Sequence, residues 1–548
     1  MEGAMQISTY DSDLQQGRNP GFNVIVLLLG LILAWSWGGV PSAEAIEMGS
    51  LQGAVRDESG KPVTGAAVKI RHLERGITVT VFSHGGNYNV PGLYPGRSEV
   101  SAGLGGHEDS TKAEVEIAAG KGTSLNLTLA KPSSPILTPA DWIPQLPDDR
   151  DGTKQLVINR CVNCHGPVNI VANRFDRLGW KKVILDMGRV EETGRPNYKE
   201  ISDERAMAAT DEETERLAAY YSKYFGPDKA PGVNFPKAVA YRNTHSDADV
   251  IITQFDIPTR TAVPHNLTVD PQGHIWFVER FADKIGGLNP NTGEFREFPI
   301  PAKARPHGAL ADKSGFIWWT ESRGNHLGRL DSRTGQMKRY PLPHEGSSPH
   351  SLSLGKDGLI WMTQIRGGRI ASFNPQTESF KEYIIPTKSS RPYGIVVDSR
   401  NHVWFCEFSG DKIGMLDPAT GVIKEYAPPT RYAGPRRLTL DRNDNVWFTE
   451  YNTNQIALLN PDTGKIQEWE IPTPDSGPYD IVVDHHGKIW FDEFTANKIV
   501  RFDPVTAKFT EYPLPGLDSQ VRKMTVDQAG AVWLSEYKNS RMVRVVER

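Results

Sequence analysis

A chain of 548 residues is longer than one hydrophobic core can serve, so several domains are expected. Its 62 Lys and Arg are outnumbered by 66 Asp and Glu, for a formal net charge of -4, which leaves no basic excess for a nucleic acid to recognise. Three cysteines are too few for a disulfide framework, whereas 51 Gly, 39 Pro and 13 Trp suit a turn-rich β protein with a repeated aromatic.

The chain opens with an export signal. Phe22 to Val40 is an uncharged, strongly apolar run with Arg18 as the only basic residue before it, and Ala43-Glu-Ala45 supplies an A-x-A cleavage pattern. Residues 1–45 read as a signal peptide or a retained membrane anchor. Either places the remainder in the periplasm or outside the cell, with the run at 22–40 as its sole expected link to a membrane.

Between about 50 and 130, alternating apolar positions broken by Gly and Pro turns predict short antiparallel strands. Gly53-x-Val55-x-Asp57, Gly60-Lys-Pro62, Gly65-Ala66-x-Val68 and, after Tyr88, Gly92-Leu93-x-Pro95-Gly96 resemble the carboxypeptidase regulatory-like domain. That resemblance implies a small β-sandwich, an accessory element without chemistry of its own. Residues 131–150 carry five prolines and no periodicity, and read as a semi-rigid linker.

Cys161-Val-Asn-Cys164-His165 follows. In an exported chain this C-x-x-C-H spacing attaches haem c: the two thiols form thioethers, and the adjacent imidazole binds the iron on its proximal side. No second cysteine pair exists to complete a zinc site, and no βαβ pattern surrounds the motif as a redox dithiol would need. Gly152 to Arg160 predicts a short helix leading into the motif, and Thr210 caps an amphipathic helix that starts at Asp211. With Trp180-x-x-Val183-x-x-x-Met187, residues 151–226 resemble a small class I cytochrome c domain. The resemblance implies an all-α fold, electron exchange with a periplasmic donor or acceptor, and a methionine as sixth ligand. Met207, 42 residues after His165, and Met187, 22 after it, are the two candidates.

The rest of the chain is a repeat. Trp276, Trp318, Trp361, Trp404, Trp447, Trp490 and Trp533 recur at an interval of 42 and then five intervals of 43 residues. Each sits among strand-like runs with an Asp-Pro-x-Thr-Gly type turn, and four short strands per such period make a propeller blade. The seventh unit lacks its last strand, and Asp249-Val-Ile-Ile-Thr-Gln-Phe-Asp-Ile-Pro matches the missing one. The ring spanning 249–548 is therefore expected to close by pairing that segment with the last blade. Cys406, inside one strand pattern, reads as a buried structural thiol.

Residues at one phase of the repeat fall on one ring. Eleven before each Trp stand His265, His307, His350, Tyr393, Arg436, Tyr479 and Arg522; three after each stand Glu279, Glu321, Gln364, Glu407, Glu450, Glu493 and Glu536. Such polar rings line a channel mouth or, for the glutamates, bond the neighbouring blade in every repeat.

The Pro-His-x-Leu and Pro-Tyr-Gly-Ile openings, with Val-Trp-Phe-x-Glu, Lys-Ile-Gly and Asp-Pro-x-Thr-Gly, resemble the virginiamycin B (streptogramin) lyase family across all seven blades. The resemblance implies opening of a cyclic depsipeptide by elimination, with a histidine as general acid/base and Mg²⁺ held near glutamates and histidine on the channel face. The family's histidines fall in late blades, where this chain has Tyr479 and Arg522. By the pseudo-symmetry of the ring, His307 with Glu321, flanked by His265 with Glu279 and by His350, is the corresponding candidate. Gln364 replaces the acid after His350, and Arg305 stands where the family has an acid.

The expected fold class is mainly β and multidomain: an N-terminal β-sandwich, a small all-α cytochrome c domain and a C-terminal seven-bladed β-propeller. The first functional reading is an exported monohaem electron-transfer protein whose propeller binds a small-molecule or peptide-like ligand. The alternatives are a Mg²⁺-dependent lyase with an accessory cytochrome, and a non-enzymatic sensor.

Overall fold

The computed structural model describes residues 46–104, 110, 112–130, 146, 151–157, 176–181, 184, 211–227, 249–515 and 519–548. The leader, Cys161, Cys164, His165, Met187, Met207 and all of the 131–150 linker except Leu146 lie outside the described residues. Among the described residues no helix is long and apolar enough to cross a membrane.

Strands β1 (Gly49–Asp57), β2 (Ala67–His72), β3 (Ile77–Phe82), β4 (Asn87–Leu93), β5 (Gly96–Gly103), β6 (Ala113–Ile117), β7 (Gly122–Ser124) and β8 (Leu127–Leu129) form the N-terminal β domain. One sheet runs β4-β1-β7 with β8 also on β1, and the other contains β3-β2-β5-β6. Alternation turns Val68, Ile70, Tyr88 and Val90 inward, where they pack with Leu51, Val55, Val79 and Val100. Gly53 has no alternative in β1, because a Cβ there would sit 1.7 Å from the Leu125 carbonyl oxygen.

The repeat folds into four-stranded antiparallel blades. Blade one comprises Pro264–Val269, Ile275–Glu279, Lys284–Asn289 and Glu294–Pro299, in order from the channel outward. Inner strands of successive blades are neighbours, and Val521–Val526 of blade seven neighbours Pro264–Val269, which closes the ring. The repeated Trp is buried in every blade. In six of seven blades its Nε1 donates to the Asp six residues earlier, at 2.8 to 3.3 Å. That Asp also holds the hairpin, as Asp270 Oδ1 does by accepting from the Gln272 and His274 amides. Truncating such a tryptophan to alanine is expected to cost about 3–5 kcal/mol.

Strand β9 (Val250–Asp256) closes the ring as the sequence predicts, pairing antiparallel with Arg541–Glu547 so that Asp256 faces Arg541 and Val250 faces Glu547. Its other edge is covered by β3, with Ile77 opposite Phe255 and Thr80 opposite Ile252. Blade seven and the N-terminal domain thus share one eight-stranded sheet. Side chains seal the junction: Ile77 and Tyr94 pack with Phe255, Trp533 and Met542, and the Tyr94 hydroxyl donates to the Asn291 carbonyl at 2.9 Å. The accessory module is a continuation of the propeller.

Two helices of that segment are described. Helix α1 (Thr153–Val157) is capped by Asp151, whose Oδ1 accepts from the Thr153 amide at 3.0 Å. Helix α2 (Asp211–Phe225) starts where predicted, with Asp211, Glu212 and Glu213 complementing its dipole. Its Leu217, Ala218, Tyr221 and Phe225 pack with Val157 and Trp180. The Trp180 ring lies 4.8 Å from that of Tyr221, and Lys181 and Arg177 both pair with Glu215.

Candidate functional site

Each blade enters its inner strand through a left-handed residue, thirteen before its Trp. Val263, Arg305, Ser348, Arg391 and Gln520 have φ of 50 to 53°, and Gly434 and Gly477 have 61 and 59°. Glycine takes this conformation freely, whereas a β-branched valine stores about 1–3 kcal/mol of strain in it. The carbonyl so presented accepts the amide of the residue four after the Trp, as from Arg280 (3.3 Å), Ser322 (3.1 Å), Phe408 (3.2 Å) and Phe494 (3.3 Å). The turn therefore fixes two side chains at the channel mouth, one eleven before the Trp and one four after it. Hydroxyls two after the Trp reach the next blade and hold its ring residue: Thr320 donates to the His350 carbonyl at 2.7 Å, Thr363 to that of Tyr393 at 3.0 Å and Thr449 to that of Tyr479 at 3.1 Å.

All seven ring side chains are buried, and they form two arcs. In blades one to three the imidazoles stack, with ring centroids 3.8 Å apart for His265 and His307 and 3.7 Å for His307 and His350. Burial first, then the guanidiniums of Arg280 and Arg437 and, for His265 and His307, the neighbouring imidazoles, hold all three well below the ordinary imidazole pKa, so they are neutral at pH 7. Nδ1 of His265 and of His307 is buried without a hydrogen-bond partner, while that of His350 lies 2.9 Å from Ser351 Oγ.

Blades four to seven are cationic and aromatic. The Tyr393 and Tyr479 hydroxyls meet at 2.5 Å. The Arg436 guanidinium carbon lies 4.0 Å from the Tyr479 ring centre, 4.3 Å from Tyr451 and 5.2 Å from Phe408. That of Arg522 lies 4.7 Å from both Phe494 and Tyr537 and 5.1 Å from Tyr479. Burial alone would raise the Tyr479 phenol, but Arg436, Arg522 and Arg437 outweigh it and bring the group down to about 7; burial and the neighbouring Tyr479 raise Tyr393. Next to the ring, Arg437 Nη1 donates to Ser351 Oγ at 2.7 Å and its Nε lies 3.9 Å from Asp480, which also takes Lys523 at 3.0 Å.

The structure brings His265, His307 and His350 together, but it gives Glu279 and Glu321 other company. Burial and then the Glu297 carboxylate push Glu279 up to about 8, with Lys284 and Thr259 completing the network around Glu297. The same arrangement puts Glu407 at about 8 beside Glu425, and Glu450 at about 8 beside Glu468. Glu321 instead forms a two-pronged pair with Arg339, at 2.8 and 2.5 Å. Gln364 donates to Glu382 at 2.6 Å. These partners sit on outer strands of the blades, and among the described residues no group of three or more His, Cys, Asp or Glu is disposed to hold a metal ion. The donor set at the ring does not suit Mg²⁺, which selects oxygen ligands, because the histidines offer nitrogen inside a field of guanidiniums.

The helical segment acts on the propeller through charge. Asp475 lies two residues before Gly477, on the loop that enters blade six; burial raises its pKa while the charge of Lys154 in α1 acts to lower it. A groove of about 390 Å³ lined by Arg400, His402, Met415 and Tyr426 lies elsewhere, and no ring residue lines it. The mouth aromatics Phe408, Tyr451, Phe494 and Tyr537 escape a reading confined to the two titratable phases. Their signal is a third phase, four after the Trp, that turns aromatic in four consecutive blades.

Residues 226–373 and 355–548 match the virginiamycin B lyase family, and residues 50–130 match the carboxypeptidase regulatory-like domain. No curated protein matches the chain. Among solved structures, a streptogramin B lyase is similar at 30% identity, covering 55% of this chain and 99% of its own, with a TM-score of 0.52. Virginiamycin B lyase from Staphylococcus aureus is similar at 28% identity, 55% and 100% coverage and a TM-score of 0.52. So is a catalytically inactive histidine-to-alanine variant of that enzyme with quinupristin, at the same identity, coverage and TM-score, 28%, 55%, 100% and 0.52. Through its propeller, this chain belongs to the virginiamycin B lyase family.

Proposed function

We propose that the protein is an exported c-type haem protein in which an electron-transfer module works beside a ligand-binding propeller, in the periplasm or outside the cell. The observation that carries this reading is the Cys161-Val-Asn-Cys164-His165 motif itself, and the charge of Lys154, on the helix just ahead of it in sequence, is felt at Asp475 on the loop that enters blade six. Cys161, Cys164 and His165 would hold haem c, two thiols and an adjacent imidazole being its donor set, and Met207 or Met187 would supply a further ligand. Once bound, haem supplies a one-electron carrier. The propeller's own residues hold the ligand between the aromatic faces of the mouth, and the buried ring below them keeps water out.

Protein matured with the haem c attachment machinery is expected to show a c-type optical spectrum, reduced on mixing with a ligand of the propeller. His165→Ala should lose the low-spin iron signature and keep the thermal transition of the propeller, because the two have separate cores. A low-spin spectrum that survives this substitution would sink the haem assignment.

The stacked neutral histidines favour a second reading, elimination chemistry of the lyase type, since an unprotonated imidazole can take a proton. Against it, the surrounding guanidiniums oppose both protonation and a cation. Mg²⁺-dependent opening of a cyclic depsipeptide with an unchanged haem spectrum would replace the first reading with this one. Ligand binding with neither turnover nor haem reduction would make the propeller a sensor.

A further inference from the structure

The arginine arc holds more positive charge than it answers. Asp480 serves Lys523 and Arg437, while burial keeps the Asp492 and Glu493 carboxyls well above the usual range and so without charge to offer. Among the described residues, Arg436 and Arg522 have no carboxylate partner, and each is only 9% exposed. Arg436 Nη2 donates to the Tyr393 hydroxyl at 3.4 Å, but among the described residues Nε of Arg436, Nε and Nη2 of Arg437 and Nε of Arg522 are buried without hydrogen-bond partners. A guanidinium cannot shed its proton to escape this position, and unpaired buried donors are costly, so the arc is built to be completed by an anion.

The surroundings define which anion. Arg436 and Arg522 both lie against Tyr479, and the residues that stand over them are flat rings: Phe408, Tyr451, Phe494 and Tyr537. The exposed Phe281, its ring centre 6.5 Å from that of Tyr537, extends the apolar mouth surface. Guanidinium forks match the two oxygens of a carboxylate, and aromatic faces accept a planar body. Deepening the reading of the propeller as a ligand-binding platform, on which this step rests, we propose that the mouth of blades four to seven binds a small aromatic carboxylate, its acid group taken by Arg436 and Arg522 and its ring by the mouth aromatics.

Calorimetric titration with benzoate, benzamide and acetate of the full chain, matured with the haem c attachment machinery and checked by its optical spectrum, tests this. Benzoate should bind, with the uncharged benzamide and the ring-less acetate each weaker by roughly tenfold or more. Arg436→Gln and Arg522→Gln should lose a similar factor, and Arg522→Lys, which keeps the charge, should lose less. Equal binding of benzoate and benzamide, or of benzoate and acetate, on the unaltered chain would overturn the proposal even if an arginine variant failed to fold. Benzoate binding without a c-type spectrum would leave this site standing and remove the haem reading; a c-type spectrum without benzoate binding would remove this site alone.

Discussion

The two arcs of the channel ring occupy one backbone phase of one repeat, yet they are electrostatic opposites. His265, His307 and His350 stack as uncharged imidazoles, two of them without a partner at Nδ1, while Arg436, Tyr479 and Arg522 interleave permanent cations with phenols. The backbone supplies the same left-handed entry turn to both, so the difference in charge lies in the side chains. It follows that blade geometry alone assigns no chemistry. The arc of blades four to seven is also the one whose positive charge outnumbers the carboxylates beside it.

The comparison breaks most visibly in stability. Arg437 is 3% exposed and faces Asp480, 1% exposed. Arg437→Met would leave that carboxylate buried with Lys523 as its one remaining cationic partner among the described residues. The expected loss is about 3 kcal/mol, read as a lower midpoint in urea. His307→Leu, in the other arc, removes a neutral group that holds no partner at Nδ1 and should cost about 1 kcal/mol or less. Equal losses from the two substitutions would show that the arcs do not differ in charge.

Much of this was legible in the sequence, and the reasons differ by element. The tryptophan period marked the blades because Trp and the Asp six before it act as one staple, and the matching strand at 250–256 announced the closure. The sharing of β9 with β3 was invisible, since edge pairing depends on which backbone is left unpaired in three dimensions rather than on any motif. The candidate site was half legible. The His265, His307 and His350 group formed as the phase implied, but a phase says nothing about the direction of a long side chain. Glu279 and Glu321 therefore looked alike and turned to unlike partners, Glu297 and Arg339.

That pair sharpens the contrast at a smaller scale. Glu279 has a folded-state pKa raised to about 8, so it contributes stability at pH values below its ordinary carboxylate range and loses that contribution as pH rises through about 8. Glu279→Gln keeps the neutral shape and should raise the melting temperature at pH 8, by an effect on the order of 1 kcal/mol, with no gain near pH 4. Glu321→Gln gives up a charged pair with a partly exposed Arg339 and should lose about 1 kcal/mol instead. The same sign for both would mean that the two acids share one role after all.

The finest test lies in a single phenol among 17 tyrosines. Tyr479 is brought down to about 7 although burial opposes it, because Arg436, Arg522 and Arg437 surround it. A lowered folded-state pKa adds stability that is full above the ordinary tyrosine value near 10 and is lost as pH falls through about 7. The tyrosinate ultraviolet band should therefore gain one early step near neutrality, shared across the Tyr393 and Tyr479 pair and absent in Tyr479→Phe. The stability gap between the two proteins should widen from pH 7 upward. An aromatic carboxylate bound between the arginines would supply the anion in place of the phenolate, so saturating benzoate should push the step to higher pH. A step that benzoate leaves where it was would mean that ligand and phenolate do not compete for the same guanidiniums, and the cationic arc would then be a self-contained structural device.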